Sequence, residues 1–247
     1  MIDFVYTVEM TDSIFFLDKI KERIKENHPI LIYTKGIFPI EILEHNQHVG
    51  INVTITGWGS SWLEPNVLIS SKMLKYFNEL VNKIGTDRVR LRIDPGVPTE
   101  KGAEKACSVL KEIEKPVYTM ASLIQMYSNK EAVFKKLGID LSFYSVRAGK
   151  AWFPEKIIAK RWLERLIETR RDFKNYISLC GMPYEVEDCL HSGCVDEKLL
   201  KAIGVTEFEK IDCGKQRPGC KCVIKKKQAV MGECHHGCKY CYAQFQN

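Results

Sequence analysis

The 247-residue chain is 45% hydrophobic and 28% charged, and its 37 Lys and Arg against 31 Asp and Glu leave a formal charge of +6. That balance excludes a disordered or fibrous chain, and the length suits one substantial core with an appendage. No apolar run is long enough to span a bilayer and the N-terminal MIDFVYTVEMTDS lacks a signal-peptide pattern, so a cytoplasmic location without a membrane partner is expected.

From residue 2 to about 180, short β-branched or aromatic runs alternate with longer segments of helical period, the mark of strand-helix units around a parallel sheet. A first strand over 2–8 leads to a helix capped by Thr11 or Asp12, with Phe16, Ile20 and Ile24 on its apolar face. Strands over 29–34 and 50–56 follow. Ser70 or Ser71 opens a helix with Leu74, Phe77, Val81 and Ile84 on one stripe, and Gly85 is placed to end it. After a strand over 88–93, Thr99 precedes a helix facing inward with Ala103, Ala106, Leu110 and Ile113; Cys107 shares that face and reads as a small buried hydrophobe. A strand over 116–121 comes next. Pro154 suits the first turn of a long helix carrying Ile158, Trp162 and Leu166, and the last strand covers 176–180. Six strands with helices outside fit an open doubly wound sheet or an incomplete barrel.

In either architecture active groups gather in the loops after the strands. Thr34, Lys35, Thr56 to Gly59, Asp94, Ser122 and Cys180 hold those positions and are expected to share one face. Beyond Cys180 regular pattern weakens, apart from a short helix near Asp196 to Ile203. The chain therefore divides into a strand-helix body over 1–180 and a cysteine-rich region over 181–247. Positive charge is dispersed, except at Lys225, Lys226 and Lys227.

Of ten cysteines only Cys107 precedes residue 180. In a reducing cytosol such segregation favours metal or cluster ligation over disulfides. Cys234, Cys238 and Cys241 have the spacing C-x3-C-x2-C, with Gly237 before the second and Tyr240 before the third. Three thiolates on a tight loop can hold three irons of a [4Fe-4S] cube and leave the fourth open. An open iron can chelate S-adenosylmethionine (SAM), whose sulfonium is then cleaved with an electron from a donor such as ferredoxin or flavodoxin. Gly237 lets the loop bend, and Tyr240 can pack beside adenine. A structural zinc recruiting His235 or His236, and disulfides, are the rival readings. The two histidines otherwise read as solvent-facing loop residues.

Several short motifs in order, YTKG (33–36), TITGWG (54–59), LEPN (63–66), RIDP (92–95) with Pro98 and Thr99, CVD (194–196), QRPGCKC (216–222) and CHHGCKYCYA (234–243), resemble the prokaryotic family catalogued as domain of unknown function 1848. The resemblance implies a radical-SAM-like partial (β/α) barrel of about six parallel strands. It also implies a C-terminal cluster whose cysteine-rich extension folds over the barrel mouth. Members usually begin with a Ser-Arg-Arg-Thr-Asp-like stretch, of which only Thr11 and Asp12 are kept here; after the lysine of YTKG, Gly36 and Ile37 replace the usual Asn-Pro. Cys180, Cys194, Cys220 and Cys222 also stand at family-like positions, as ligands of an auxiliary iron-sulfur cluster or a zinc ion, or else as unliganded thiols; Cys189 and Cys213 are additional.

Thr56, Gly57 and Gly59 end a strand in a glycine turn where backbone groups can approach SAM, or form an ordinary turn. Glu64 can pair with the SAM ammonium and Asp94 with its ribose hydroxyls, unless each is a cap or salt-bridge residue. If Arg92 points inward, Arg90 does too, and with Lys35 they suit a carboxylate or phosphate. Tyr127 and Ser122 are candidate pocket residues. The expected function is a radical-SAM-like enzyme acting on an unknown substrate. The alternative is a non-catalytic iron-sulfur or zinc protein whose basic, cysteine-rich tail binds nucleic acid or a protein. The enzyme reading requires Cys234, Cys238 and Cys241 at the strand-end mouth, near Gly57 and Asp94.

Overall fold

The computed structural model describes residues 1–9, 11–187, 189–211 and 219–241. Cys213 and the QRP part of the QRPGCKC motif lie outside the described residues. Seven parallel strands curl into a half-barrel: β1 (Phe4–Thr7), β2 (Ile30–Thr34), β3 (Val49–Thr54), β4 (Val89–Gly96), β5 (Thr119–Leu123), β8 (Ile177–Leu179) and β9 (Lys225–Gln228). Their order is β8-β5-β4-β3-β2-β1-β9. A two-stranded antiparallel hairpin, β6 (Val146–Ala148) with β7 (Ala151–Phe153), stands apart from this sheet. Every residue of β2 and β3 is buried, as expected of parallel strands covered on both faces.

Ile30, Ile32, Ile51, Val53, Leu91 and Ile93 pack outward against helices α1 (Leu17–Lys25), α2 (Ile40–His45), α3 (Ser70–Ile84), α4 (Glu100–Lys111) and α6 (Lys156–Thr169). The local signals hold except at the start of α3, where Ile69 takes the cap position without a side-chain bond and Ser70 and Ser71, expected to cap, stand inside the helix. Asp12 caps the 3-10 turn Ser13–Phe16 that leads into α1, Thr99 accepts from the Gly102 amide at the start of α4, and Gly85 ends α3 at φ 85°. Cys107 is buried in the outer core. Pro154, by contrast, precedes the Glu155 cap of α6 instead of standing in its first turn. Helices α2 and α5 (Glu131–Leu137) carried no clear sequence signal because each is under two turns long. Among the described residues no helix is long and apolar enough to cross a membrane.

The seventh strand is the main departure from the expected six. Lys225, Lys226 and Lys227 pair in register with Phe4, Val5 and Tyr6 of β1. Lysines suit an edge strand, where they discourage further pairing. They hid the strand because it lacks the β-branched residues that mark one. Lys226 meets Glu9 at 2.6 Å, while the Lys227 ammonium lies 3.5 Å from the centre of the Phe4 ring.

The concave face presents Leu31 and Tyr33 from β2 and Met120 from β5. Register places Asn52 and Thr54 of β3, and Arg90 and Arg92 of β4, on the same side. Helix α7 (Glu197–Ala202) lies against it: Leu199, Leu200, Ile203, Val195 and Ile224 join Val5, Leu31 and Tyr33 in one core. Each such side chain contributes about 1.5–3 kcal/mol on burial. Gly50 permits the approach, since a Cβ there would come 3.1 Å from Leu199. The C-terminal region thus also fills the concave face near the strand starts. Arg90 fastens it, donating to the carbonyls of Gly193 (3.2 Å) and Cys194 (3.3 Å), pairing with Asp196 and lying over the Tyr118 ring. Arg90 is therefore engaged by the tail and is absent from the mouth.

Candidate active site

The terminal cysteine loop is laid across the strand ends by contacts with the segment Leu63 to Asn66. The Lys239 amide donates to the Leu63 carbonyl (3.0 Å), the Asn66 amide to the His236 carbonyl (3.2 Å) and the Asn66 side chain to the His235 carbonyl (2.8 Å). Lys130 adds a bond from its ammonium to the Lys239 carbonyl, 2.8 Å. Gly237 turns the loop at φ 66°, a conformation that favours glycine.

His235 is exposed, but His236 is not the solvent-facing residue expected: it is 3% exposed and its Nε2 lies 2.6 Å from Asp12 Oδ2. Asp12 also accepts from the amides of Ile14 and Lys35. One carboxylate thereby joins the first turn, the end of β2 and the cysteine loop. Sequence reasoning found only its capping role, because its other partner is 224 residues away.

Beside it lies a buried polar knot. The Lys35 ammonium donates to Glu64 Oε1 (2.6 Å) and shares a 2.8 Å hydrogen bond with the Tyr240 hydroxyl. Thr56 donates to Glu64 Oε2 at 2.6 Å, and Tyr240 donates to Glu64 Oε1. Burial pushes the Glu64 carboxyl up, but the charge of Lys35 and the hydrogen bonds from Lys35, Thr56 and Tyr240 outweigh it and leave the group below its usual value. Burial likewise pushes Lys35 down, and the charges of Glu64, Cys238 and Asp94 with the Glu64 hydrogen bond reverse this. Tyr240 packs into a rim cluster with Trp58, Leu63, Val97, Ile124 and Phe134, all from strand-end loops or α5.

The mouth itself is a cavity of about 460 Å³. Lys35, Arg92, Asp94, Ser122, Tyr127, Cys180, Tyr240 and Cys241 line it, as do Tyr33, Thr54 and Cys194. Tyr33 and Thr54 escaped sequence reasoning, although strand alternation from Arg92 through the register would have found them. Arg92 pairs with Asp94 and lies over the Tyr33 ring. Burial lowers its affinity for protons, and Asp94 first among its neighbours more than restores it.

Glu64, 1% exposed, stands behind the wall with its carboxylate already bonded. Gly57 and Gly59 do not line the cavity. The Gly57 carbonyl accepts from Lys105 at 3.0 Å, and Gly59 closes the 57–68 loop on itself. A Cβ on Gly59 would stand 2.0 Å from the Leu68 carbonyl oxygen. Gly59→Ala is expected to cost about 1–3 kcal/mol by forcing that backbone apart, read as a lower urea midpoint; an unchanged midpoint would refute the close approach.

Cys238 is buried, and Cys234 and Cys241 are half-buried. Burial pushes the Cys238 thiol up to about 11 and raises Cys234 as well. The second set meets on the concave face, with Cys180 and Cys194 in the cavity wall. Cys194 and Cys222 are 3.3 Å apart, with Cys180 near Cys194 and Cys220 near Cys222. Hydrogen bonds from Cys180 and Cys222 push Cys194 down, the bond from Cys222 takes Cys220 to about 6, and Cys222 is driven up. Cys189 stays outside this set, its thiol 3.2 Å from the Val186 carbonyl. Among the described residues no group of three or more His, Cys, Asp or Glu is already arranged to hold a metal ion.

The architecture is a half-barrel of parallel strands with a cysteine loop laid across its strand ends. Residues 17–243 match the family described as Domain of unknown function (DUF1848), and the chain belongs to that family. No curated protein matches the sequence. A solved structure titled as a cysteine-to-alanine mutant of spore photoproduct lyase with dinucleoside spore photoproduct superposes with a TM-score of 0.52 at 10% identity, covering 71% of this chain and 60% of that one. A tyrosine-to-phenylalanine mutant of spore photoproduct lyase gives 0.48 at 12% identity, covering 65% and 54%. The chain spans less than two thirds of either structure, and its likeness to the first is one of fold.

Proposed function

We propose that the protein is a cytoplasmic radical-SAM-like iron-sulfur enzyme that reductively cleaves SAM and acts on a substrate held in the mouth cavity. The observation that carries this reading is the terminal loop, pinned to the strand ends so that Tyr240 and Cys241 form part of the same wall as Arg92 and Asp94. The donor set suits the cofactor. Three soft thiols lie on one short loop, and a polar cavity stands beside them for the ligand of an open iron. Cys234, Cys238 and Cys241 would hold the [4Fe-4S] cluster, with their side chains converging on loading. When reduced, such a cluster supplies the electron that splits bound SAM into methionine and a 5'-deoxyadenosyl radical.

The chain's own residues supply position and charge. Lys35 and Glu64 fix the Tyr240 hydroxyl, so its ring is a rigid wall for adenine to pack against. Arg92 suits the carboxylate of SAM and Asp94 its hydroxyls, with Thr56 steadying Glu64 behind them. Ferredoxin or flavodoxin suits the role of electron donor.

Anaerobic reconstitution followed by dithionite and SAM tests the reading: 5'-deoxyadenosine should form well above a protein-free control. A fully loaded centre without that product would sink it, leaving a non-catalytic metalloprotein. Asp94→Ala should weaken SAM binding about tenfold, or about 1.4 kcal/mol, by calorimetric titration, with the cluster's absorption unchanged. Equal affinity would remove Asp94 from the site.

A further inference from the structure

We propose that Cys180, Cys194, Cys220 and Cys222 bind a single zinc ion that fastens the C-terminal region to the concave face of the half-barrel. Three separate stretches of chain meet at these thiols. Cys180 directly follows β8, Cys194 precedes α7, and Cys220 and Cys222 lead into β9. All four are buried, from 0% exposed at Cys222 to 8% at Cys180. Cys194 and Cys222 lie 3.3 Å apart, and Cys180 beside Cys194 and Cys220 beside Cys222 are close enough to shift each other's titration.

Spacing argues against a cubane cluster. In a tetrahedral site with Zn–S near 2.3 Å, neighbouring sulfurs stand about 3.8 Å apart. The 3.3 Å between Cys194 and Cys222 need open by only about half an ångström for both to share one ion. A [4Fe-4S] cube attaches each thiolate to a different iron and spreads them much further. The set is not yet closed, so the ion draws the outer thiols, Cys180 and Cys220, inward.

Charge agrees with this assignment. Zinc with four thiolates carries two net negative charges, which a buried site must offset. The Lys226 ammonium lies 4.0 Å from Cys194, and Arg92 lines the same cavity as Cys180 and Cys194. Four protein thiolates leave no open position, which marks a structural rather than a catalytic zinc. The ion would complete what Arg90 begins by tying Gly193 and Cys194 to β4.

The site stands or falls independently of the terminal loop, and the test separates them. The full chain with Cys234, Cys238 and Cys241 all changed to Ala should retain about one zinc per chain and no acid-labile sulfide. Zinc-edge X-ray absorption should show four sulfurs at about 2.3 Å. Cys194→Ser or Cys222→Ser in that background should lower bound zinc more than about tenfold, whereas Cys189→Ser should leave it in place. Should the serine variants fail to fold, the absorption spectrum of the triple variant decides alone. Iron with sulfide in that variant, nitrogen or oxygen ligands around the zinc, or a folded metal-free chain, with or without a Cys194–Cys222 disulfide, would each overturn the proposal.

Discussion

Replacing Cys238 with alanine is expected to cut dithionite-driven formation of 5'-deoxyadenosine at least about a hundredfold, since removing even the partners of metal ligands costs up to that much. Cys238 is the most buried of the terminal thiols and sits between His236 and Lys239, both of which are bonded to the strand-end loop. Its loss would remove a proposed ligand without untying the loop, so far-ultraviolet circular dichroism should match the wild type while iron and sulfide fall. Cys107→Ala is the fitting control, because that thiol lies in the outer core beneath α4 and should leave product formation intact. A Cys238→Ala protein that formed 5'-deoxyadenosine at the wild-type rate would remove the terminal loop from the chemistry.

Lys35→Met should destabilise the protein by about 3–5 kcal/mol, the usual result of stranding one member of a buried ion pair. Glu64 is 1% exposed and the Lys35 side chain 16%, so water screens little of the interaction. The loss should appear in urea unfolding, and adding Glu64→Gln should recover part of it by removing the stranded charge. The same pair sets an acid limit. The Glu64 carboxyl titrates below its usual 4.5 in the folded protein, so its contribution is fully present above 4.5 and fades as pH falls through the lower folded value. Lys35 is raised above its usual 10.5; its contribution is complete below 10.5 and is lost as pH rises through the folded value. Lys135 and Glu131, paired on the surface of α5 with side chains 69% and 53% exposed, offer the contrast: Lys135→Met should barely move the curve. A cost for Lys35→Met under about 1 kcal/mol would mean that the knot is better solvated than its burial indicates.

Six strands, their outer helices and the caps at Asp12, Thr99 and Gly85 were legible because each signal is local. An apolar run, a period of 3.6 or a hydroxyl before a helix acts over a few residues. Lys35, Asp94 and Ser122, expected just after strands, do line one cavity, although Asp94 and Ser122 fall within the last residues of β4 and β5. β9 was hidden, since three lysines resemble solvated charge until β1 offers an edge to pair with.

By itself the amino-acid sequence determined a parallel strand-helix body, a donor-rich C-terminal region and the residue types available at the strand ends. Only the tertiary structure decided what those residues do. It buried His236 on Asp12, committed Glu64 to Lys35, Thr56 and Tyr240, turned Arg90 toward the tail and left Arg92 and Asp94 at the cavity. The physical reason is range. Hydrogen bonds and ion pairs form between atoms a few ångströms apart, and here their partners are separated by up to 224 residues of chain, a distance over which no local pattern carries information.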